Sequence, residues 1–97
     1  MKQLSQKTID LLDILQEECA EVIQAISKIK RFGVDSYHPE DPFRMPNIQH
    51  LTVELGDVVG MTDMLMNTEL SQMNLNWDTI TEAANSKKAK IKRFMRD

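Results

Sequence analysis

The residues of this chain best placed to do chemistry are acids, in two runs: Glu17, Glu18 and Glu21, and then Glu54 and Asp57. Glu18 and Glu21, like Glu54 and Asp57, stand three residues apart, so on a helix each pair projects from one face, one turn apart. At about 100° per residue, Glu18 falls inside an arc filled by Leu11, Ile14, Leu15, Val22, Ala25, Ile26 and Ile29, and Glu21 lies at its edge. Glu54 falls in the matching arc of Ile48, Leu51, Leu55, Val58, Met61 and Leu65, and Asp57 takes the edge position. Two helices would therefore each direct two carboxylates into the seam along which they pack.

Such a placement needs compensation, because an unpaired buried ion costs several kcal/mol in practice. The acids can take up protons, pair with basic side chains, or share a hard cation. Carboxylate oxygens from two facing helices suit the octahedral oxygen sets of Mg²⁺ or Mn²⁺. Single pairs of this kind also occur as solvated rim acids on ordinary amphipathic helices. Two pairs in matching phase, with Glu17 beside them, favour a shared site.

The elements that must position these acids read as all-α. A first helix is expected from about Ser5 to Phe32, with Leu12, Leu15, Cys19, Val22, Ile26 and Ile29 as a 3-4 seam. On that seam Cys19 reads as a small buried hydrophobe. Gly33 suits the position just past a helix end, and Lys30 and Arg31 complement the helix dipole there. Residues 34–46 hold all three prolines together with Tyr37, His38 and Phe43. A connection of this length is either a lid or contact segment or a surface loop whose aromatics pack onto the bundle. A second helix is expected from about Asn47 to Asn67. In it, His50 shares the face of Glu54, either as a structural histidine or in contact with a ligand or a carboxylate. Gly56 and Gly60 flatten the face away from the acids. A polar stretch, Thr68 to Asn76, leads to a third helix from about Trp77 to Arg96, capped by Asn76, with a seam of Trp77, Ile80, Ala84, Ile91 and Phe94. Lys87 and Lys88 fall on that inward arc. They either snorkel to solvent or, with Asn85, reach a polyphosphate.

Composition narrows the classes. Ninety-seven residues make one domain, and 41% hydrophobic with 28% charged residues is ordinary for a soluble chain. No apolar run reaches the length of a membrane span, no secretory signal pattern opens the chain, and a lone cysteine makes no internal disulfide. The chain reads as cytoplasmic. Its net charge of −3 is uneven: the last eleven residues hold six of the twelve Lys and Arg and one of the fifteen acids. An acidic body with a basic C-terminal end does not suit a nucleic-acid groove, but it does suit a site that holds metal and phosphate together. A glycine-rich phosphate loop, paired cysteines and the Glu-x-x-His pairs of di-iron bundles are all missing.

Glu17-Glu18-x-x-Glu21 followed by Glu54-x-x-Asp57 resembles the EExxE…ExxD signature of the MazG-like, all-α nucleoside triphosphate pyrophosphohydrolases. The likeness runs from about residue 10 to 94, and includes Lys30-Arg31-Phe32-Gly33 and Glu54-Leu55-Gly56-Asp57-Val58, familiar from small phage and bacterial members. Residues 22–53 form a gap somewhat long for the family. The resemblance implies a single domain that cleaves an NTP or dNTP between the α and β phosphates, giving a monophosphate and pyrophosphate. It implies Mg²⁺, with Mn²⁺ as a substitute, on Glu18, Glu21, Glu54 and Asp57. Glu17 would ligate a further ion or position the attacking water, making Glu17, Glu18 and Glu54 the catalytic set. Asn85, Lys87, Lys88, Trp77 and His50 are the expected substrate contacts. A homodimer or homotetramer is expected, its helices bundled across subunits, with no nucleic-acid or membrane partner. The alternatives are a nucleotide-binding sensor that turns over little and a helical protein-interaction module.

Overall fold

Punctuation in the sequence sets the helix ends. In the computed structural model, which describes residues 3–95, helix α1 spans Gln6–Phe32, α2 spans Asn47–Leu65 and α3 spans Trp77–Phe94. Ser5 caps α1, its side chain accepting from the Thr8 N–H at 3.2 Å. Gly33 ends α1 at φ 96°, a region that favours glycine, and its N–H donates to Ile29 O. Pro46 stands at the cap position of α2 and Asn76 caps α3, accepting from the Thr79 N–H at 2.9 Å. The second helix ends at Leu65, two residues short of the expected Asn67. The expected end of the third helix at Arg96 lies outside the described residues. The stretch from Thr68 to Asn76 is more ordered than its polarity suggested, because Glu69–Met73 form a 3₁₀ helix capped by Thr68 and closed by Asn74 in the left-handed conformation.

Two helices do the packing. Helices α1 and α2 lie along each other, whereas α3 makes no comparable contact with either. The α1 ridge removed from solvent runs Thr8, Leu11, Leu15, Glu18, Val22, Ala25 and Ile29, at 3-4 spacing. Its α2 counterpart runs Asn47, Leu51, Glu54, Val58, Met61 and Leu65. This corrects the expected α1 seam. Leu15, Val22 and Ile29 are shared, but Cys19 and Ile26 are exposed, and Glu18 and Ala25 stand where those two were expected. The reason is that α1 is apolar over two adjacent stripes and one neighbouring helix can cover only one. The uncovered stripe holds Ile9, Cys19, Ile23 and Ile26, and α2 leaves Ile48, Leu55 and Val59 open. Along α3, Ile80 is half-buried while Trp77, Ala84, Ile91 and Phe94 are exposed, so most of the expected third seam is left uncovered by the described residues.

The connection after α1 folds back onto the start of α2. Asn47 N–H donates to Ser36 O at 2.7 Å and Ile48 N–H to Val34 O at 3.0 Å, which satisfies donors left open at the helix start. Asp41 accepts from the Phe43 and Met45 N–H groups at 2.9 and 3.0 Å. These two bonds, foremost, hold its carboxyl below the usual range. No helix among the described residues is long and apolar enough to cross a membrane.

Candidate metal and nucleotide site

Glu18 and Glu54 reach the α1–α2 seam because each takes a core position in the 3-4 repeat. Each is half-buried at the middle of its ridge, with Leu15 and Val22 flanking Glu18, and Leu51 and Val58 flanking Glu54. Asp57, one turn beyond Glu54, is exposed at the rim. One carboxylate oxygen from each of Glu18, Glu54 and Asp57 lies within 4.8 Å of the other two. Desolvation, foremost, raises the Glu18 carboxyl above its ordinary range, and the neighbouring carboxyls of Glu54 and Asp57 push it the same way. Among the described residues no Lys or Arg forms an ion pair with the three. Hard oxygen donors converging without a basic partner fit a hard divalent cation.

The other expected site residues are distributed around this cluster. Glu17 and Glu21 are exposed on α1, one turn apart, and stand outside the converging set. His50 is half-buried one turn before Glu54, and its Nε2 lies 3.8 Å from Asp41 Oδ2. Trp77 donates its indole N–H to Asp63 at 3.0 Å, tying the start of α3 to the end of α2. Asn85, Lys87 and Lys88 are exposed on α3. On one flank of the acids an open groove is lined by Glu18, Asp57, Gly56, Gly60, Met61 and Met64. A Cβ added at either glycine would meet nothing within 4 Å, so both face open space, and they lie beside the acids rather than on the face away from them that the sequence suggested.

Sequence reasoning passed over two residues, Asn47 and Glu69. Asn47, read only as a helix opener, is buried and donates from Nδ2 to Gly33 O at 3.0 Å and to Lys28 O at 3.4 Å. It thereby joins the end of α1 to the start of α2. Glu69 accepts from the Ser5 N–H at 2.8 Å across 64 residues of chain. Hydrogen bonds from Ser5 and from its own backbone N–H, and then Thr8, lower its carboxyl to about 2. Asn47 follows a proline at a helix start, which hinted at a capping role; Glu69 left no local signal.

A family model for the MazG nucleotide pyrophosphohydrolase domain matches residues 6–94. No match was found among curated proteins or among solved structures. The matched region begins at the first residue of α1 and ends at the last of α3. Over its whole helical length, acid pairs included, the chain belongs to the MazG nucleotide pyrophosphohydrolase domain family.

Proposed function

We propose that this chain is a single-domain, Mg²⁺-dependent nucleoside triphosphate pyrophosphohydrolase, cleaving an NTP or dNTP between the α and β phosphates. The observation that carries this is the convergence of Glu18, Glu54 and Asp57 within 4.8 Å, in a chain of a nucleotide pyrophosphohydrolase family. Glu18, Glu54 and Asp57 would hold the ion, with Glu21 as a fourth ligand from the edge of α1, and Mn²⁺ could replace Mg²⁺. When bound, the ion supplies positive charge for the phosphate oxygens and acidifies water. Glu17, exposed and one turn from Glu21, would ligate a further ion or orient the attacking water. Half-burial of Glu18 and Glu54 between aliphatic neighbours lowers the local dielectric, which strengthens their hold on a cation.

A second part of the proposal is assembly into a homodimer or homotetramer. The chain exposes 7971 Å² at 11.2 kDa, where a compact monomer of that mass exposes about 5700 Å². The excess has the scale of a subunit interface, and the uncovered stripes of α1, α2 and α3 supply its apolar character. Packing α3 onto another subunit would bring Asn85, Lys87 and Lys88 toward bound phosphates and cover the exposed part of the Trp77 ring.

The test is pyrophosphate release from a panel of NTPs and dNTPs with Mg²⁺, with Mn²⁺ and with EDTA. The expected result is metal-dependent release with a monophosphate product. Release that persists in EDTA would remove the metal from the reaction. No release from any nucleotide by folded protein would leave a sensor or an interaction module.

A further inference from the structure

A partly enclosed space lies away from the acids. It is a cavity of about 420 Å³ where the end of α1, residues 34–46 and the start of α2 meet, and Phe32, Tyr37, His38, Asn47, Lys28 and His50 line it. That volume lies in the range of small-molecule sites, which are walled by rings with a few placed polar groups.

Asn47 is the polar group that defines it. The residue is 5% exposed and both its side-chain donor bonds go to backbone carbonyls, Gly33 O and Lys28 O. Those bonds fix which end of the amide is nitrogen, and no donor among the described residues reaches Oδ1. Among the described residues no fully occluded side-chain oxygen lacks a partner, so this one keeps some exposure, and Asn47 is a wall residue of the cavity. A desolvated carbonyl oxygen beside aromatic rings selects a ligand that brings an N–H group. His38 adds the complementary function. Its Nδ1 accepts from the Glu40 N–H at 3.1 Å, which leaves the proton of the neutral ring on Nε2 as a donor.

The cavity is also aligned with the acids. Lys28 follows Glu21 by seven residues on α1, and His50 precedes Asp57 by seven on α2. Seven residues are two turns on one stripe, so the cavity and the rim acids share a side of the helix pair, about 10 Å apart along the axis. A nucleotide separates its base from its phosphates on that scale.

We propose that this cavity is the nucleobase subsite: an aromatic heterocycle enters between the rings of residues 32–38, donates an N–H to Asn47 Oδ1 and accepts from His38 Nε2. The inference rests on the pyrophosphohydrolase reading for the position of the phosphates. It makes residues 34–46 the base-reading segment, with Tyr37 as stacking residue.

The test has two arms that fail separately. In the first, nucleosides without phosphates are added to full-length protein in EDTA, and amide NMR signals are followed. Shifts at the Asn47 side-chain amide and at residues 36–38 are expected, with affinity about tenfold weaker in Tyr37→Ala, the scale of one lost base–aromatic stack. Tyr37→Phe should keep it. In the second, hydrolysis of nucleotides is compared with that of inorganic tripolyphosphate, which has no base. Tyr37→Ala should raise KM for nucleotides about tenfold, keep kcat, and leave tripolyphosphate unchanged. Nucleoside shifts without any hydrolysis would uphold the subsite and sink the hydrolase. Hydrolysis with no nucleoside shifts, or with a Tyr37→Ala enzyme of unaltered KM, would overturn the subsite and leave the hydrolase standing.

Discussion

Glu18 and Glu69 are carboxylates of the same chain held in opposite ways. Glu69 stands among donors: the Ser5 N–H at 2.8 Å, the Ser5 hydroxyl at 3.3 Å and Thr8 beside them, at the positive end of the α1 dipole. Its charge is satisfied by the fold and its carboxyl is lowered to about 2. Glu18 stands among acceptors. Glu54 and Asp57 bring more negative charge and no proton donor, and its carboxyl is raised. One acid is complete within the polypeptide and so reads as structural. The other faces further negative charge with no positive partner among the described residues, and that incompleteness is the physical signature of a binding site.

The strongest way to break this contrast is Glu54→Gln. If Glu18, Glu54 and Asp57 hold the ion that turnover needs, this variant should lose on the order of 100-fold or more in metal-dependent pyrophosphate release. Far-UV circular dichroism should be unchanged, because an amide of the same shape keeps the seam filled. Full activity in a folded Glu54→Gln protein would remove the carboxylate cluster from the chemistry.

The same contrast predicts opposite thermal responses. In EDTA, Glu18→Gln should melt at or above the wild-type temperature, since it deletes one of three mutually repelling charges. Mg²⁺ should then stabilise wild type, by about 2.7 kcal/mol at a hundredfold excess over Kd, and leave Glu18→Gln almost unmoved. Equal Mg²⁺ stabilisation of both proteins would place the ion elsewhere. Glu69→Gln should do the reverse, melting a few degrees lower with or without metal, because donors at the start of α1 lose their anion.

Acidification extends the comparison. Glu69 is held near 2 in the folded protein against an ordinary value of 4.5. Its folded-state pKa is the depressed one, so its stabilisation is complete above about pH 4.5 and is lost as pH falls toward 2. Asp41, lowered by the Phe43 and Met45 N–H groups, acts in the same direction. Denaturation midpoints of wild type and Glu69→Gln, measured from pH 6 downward, should therefore converge below pH 4.5. A gap that stayed constant down to pH 2.5 would show that the loss in Glu69→Gln is one of packing.

How far the fold was legible follows from these same residues. Gly33, Pro46 and Asn76 are local stop and start signals, and the helix boundaries they mark fell within two residues of those observed. Spacing suggested Glu18, Glu21, Glu54 and Asp57 as a group, two in the apolar arcs and two at their edges, but helical phase alone did not show that Glu21 stands outside the three that converge. The register of α1 was not legible. Leu11, Glu18 and Ala25 form one stripe and Leu12, Cys19 and Ile26 the next, and both are apolar enough to face a partner. Periodicity reports that a face is apolar; it does not say whether α2 or another chain covers it. Glu69 was illegible for a different reason, since its bond to Ser5 spans 64 residues and nothing near Glu69 encodes it. Asn47 was read for its backbone position alone, while its side chain closes α1 onto α2.

The smallest expected effect concerns α3, the element with the least packing. An 18-residue helix with little tertiary support beyond its first turn is only marginally stable in water, so its end groups matter more than those of α1 or α2. Asn76 accepts from Thr79 N–H and Asp78 complements the dipole in the first turn. Asn76→Ala should remove about 1 kcal/mol of local helix stability, which on a weakly supported helix is enough to fray its first turns. If α3 packs onto another subunit, the loss is resisted wherever the protein is assembled. Far-UV circular dichroism of wild type and Asn76→Ala over a dilution series should then show a helicity deficit at low concentration that closes as concentration rises. A deficit of the same size at every concentration would place α3 outside the subunit contact, and with it Asn85, Lys87 and Lys88.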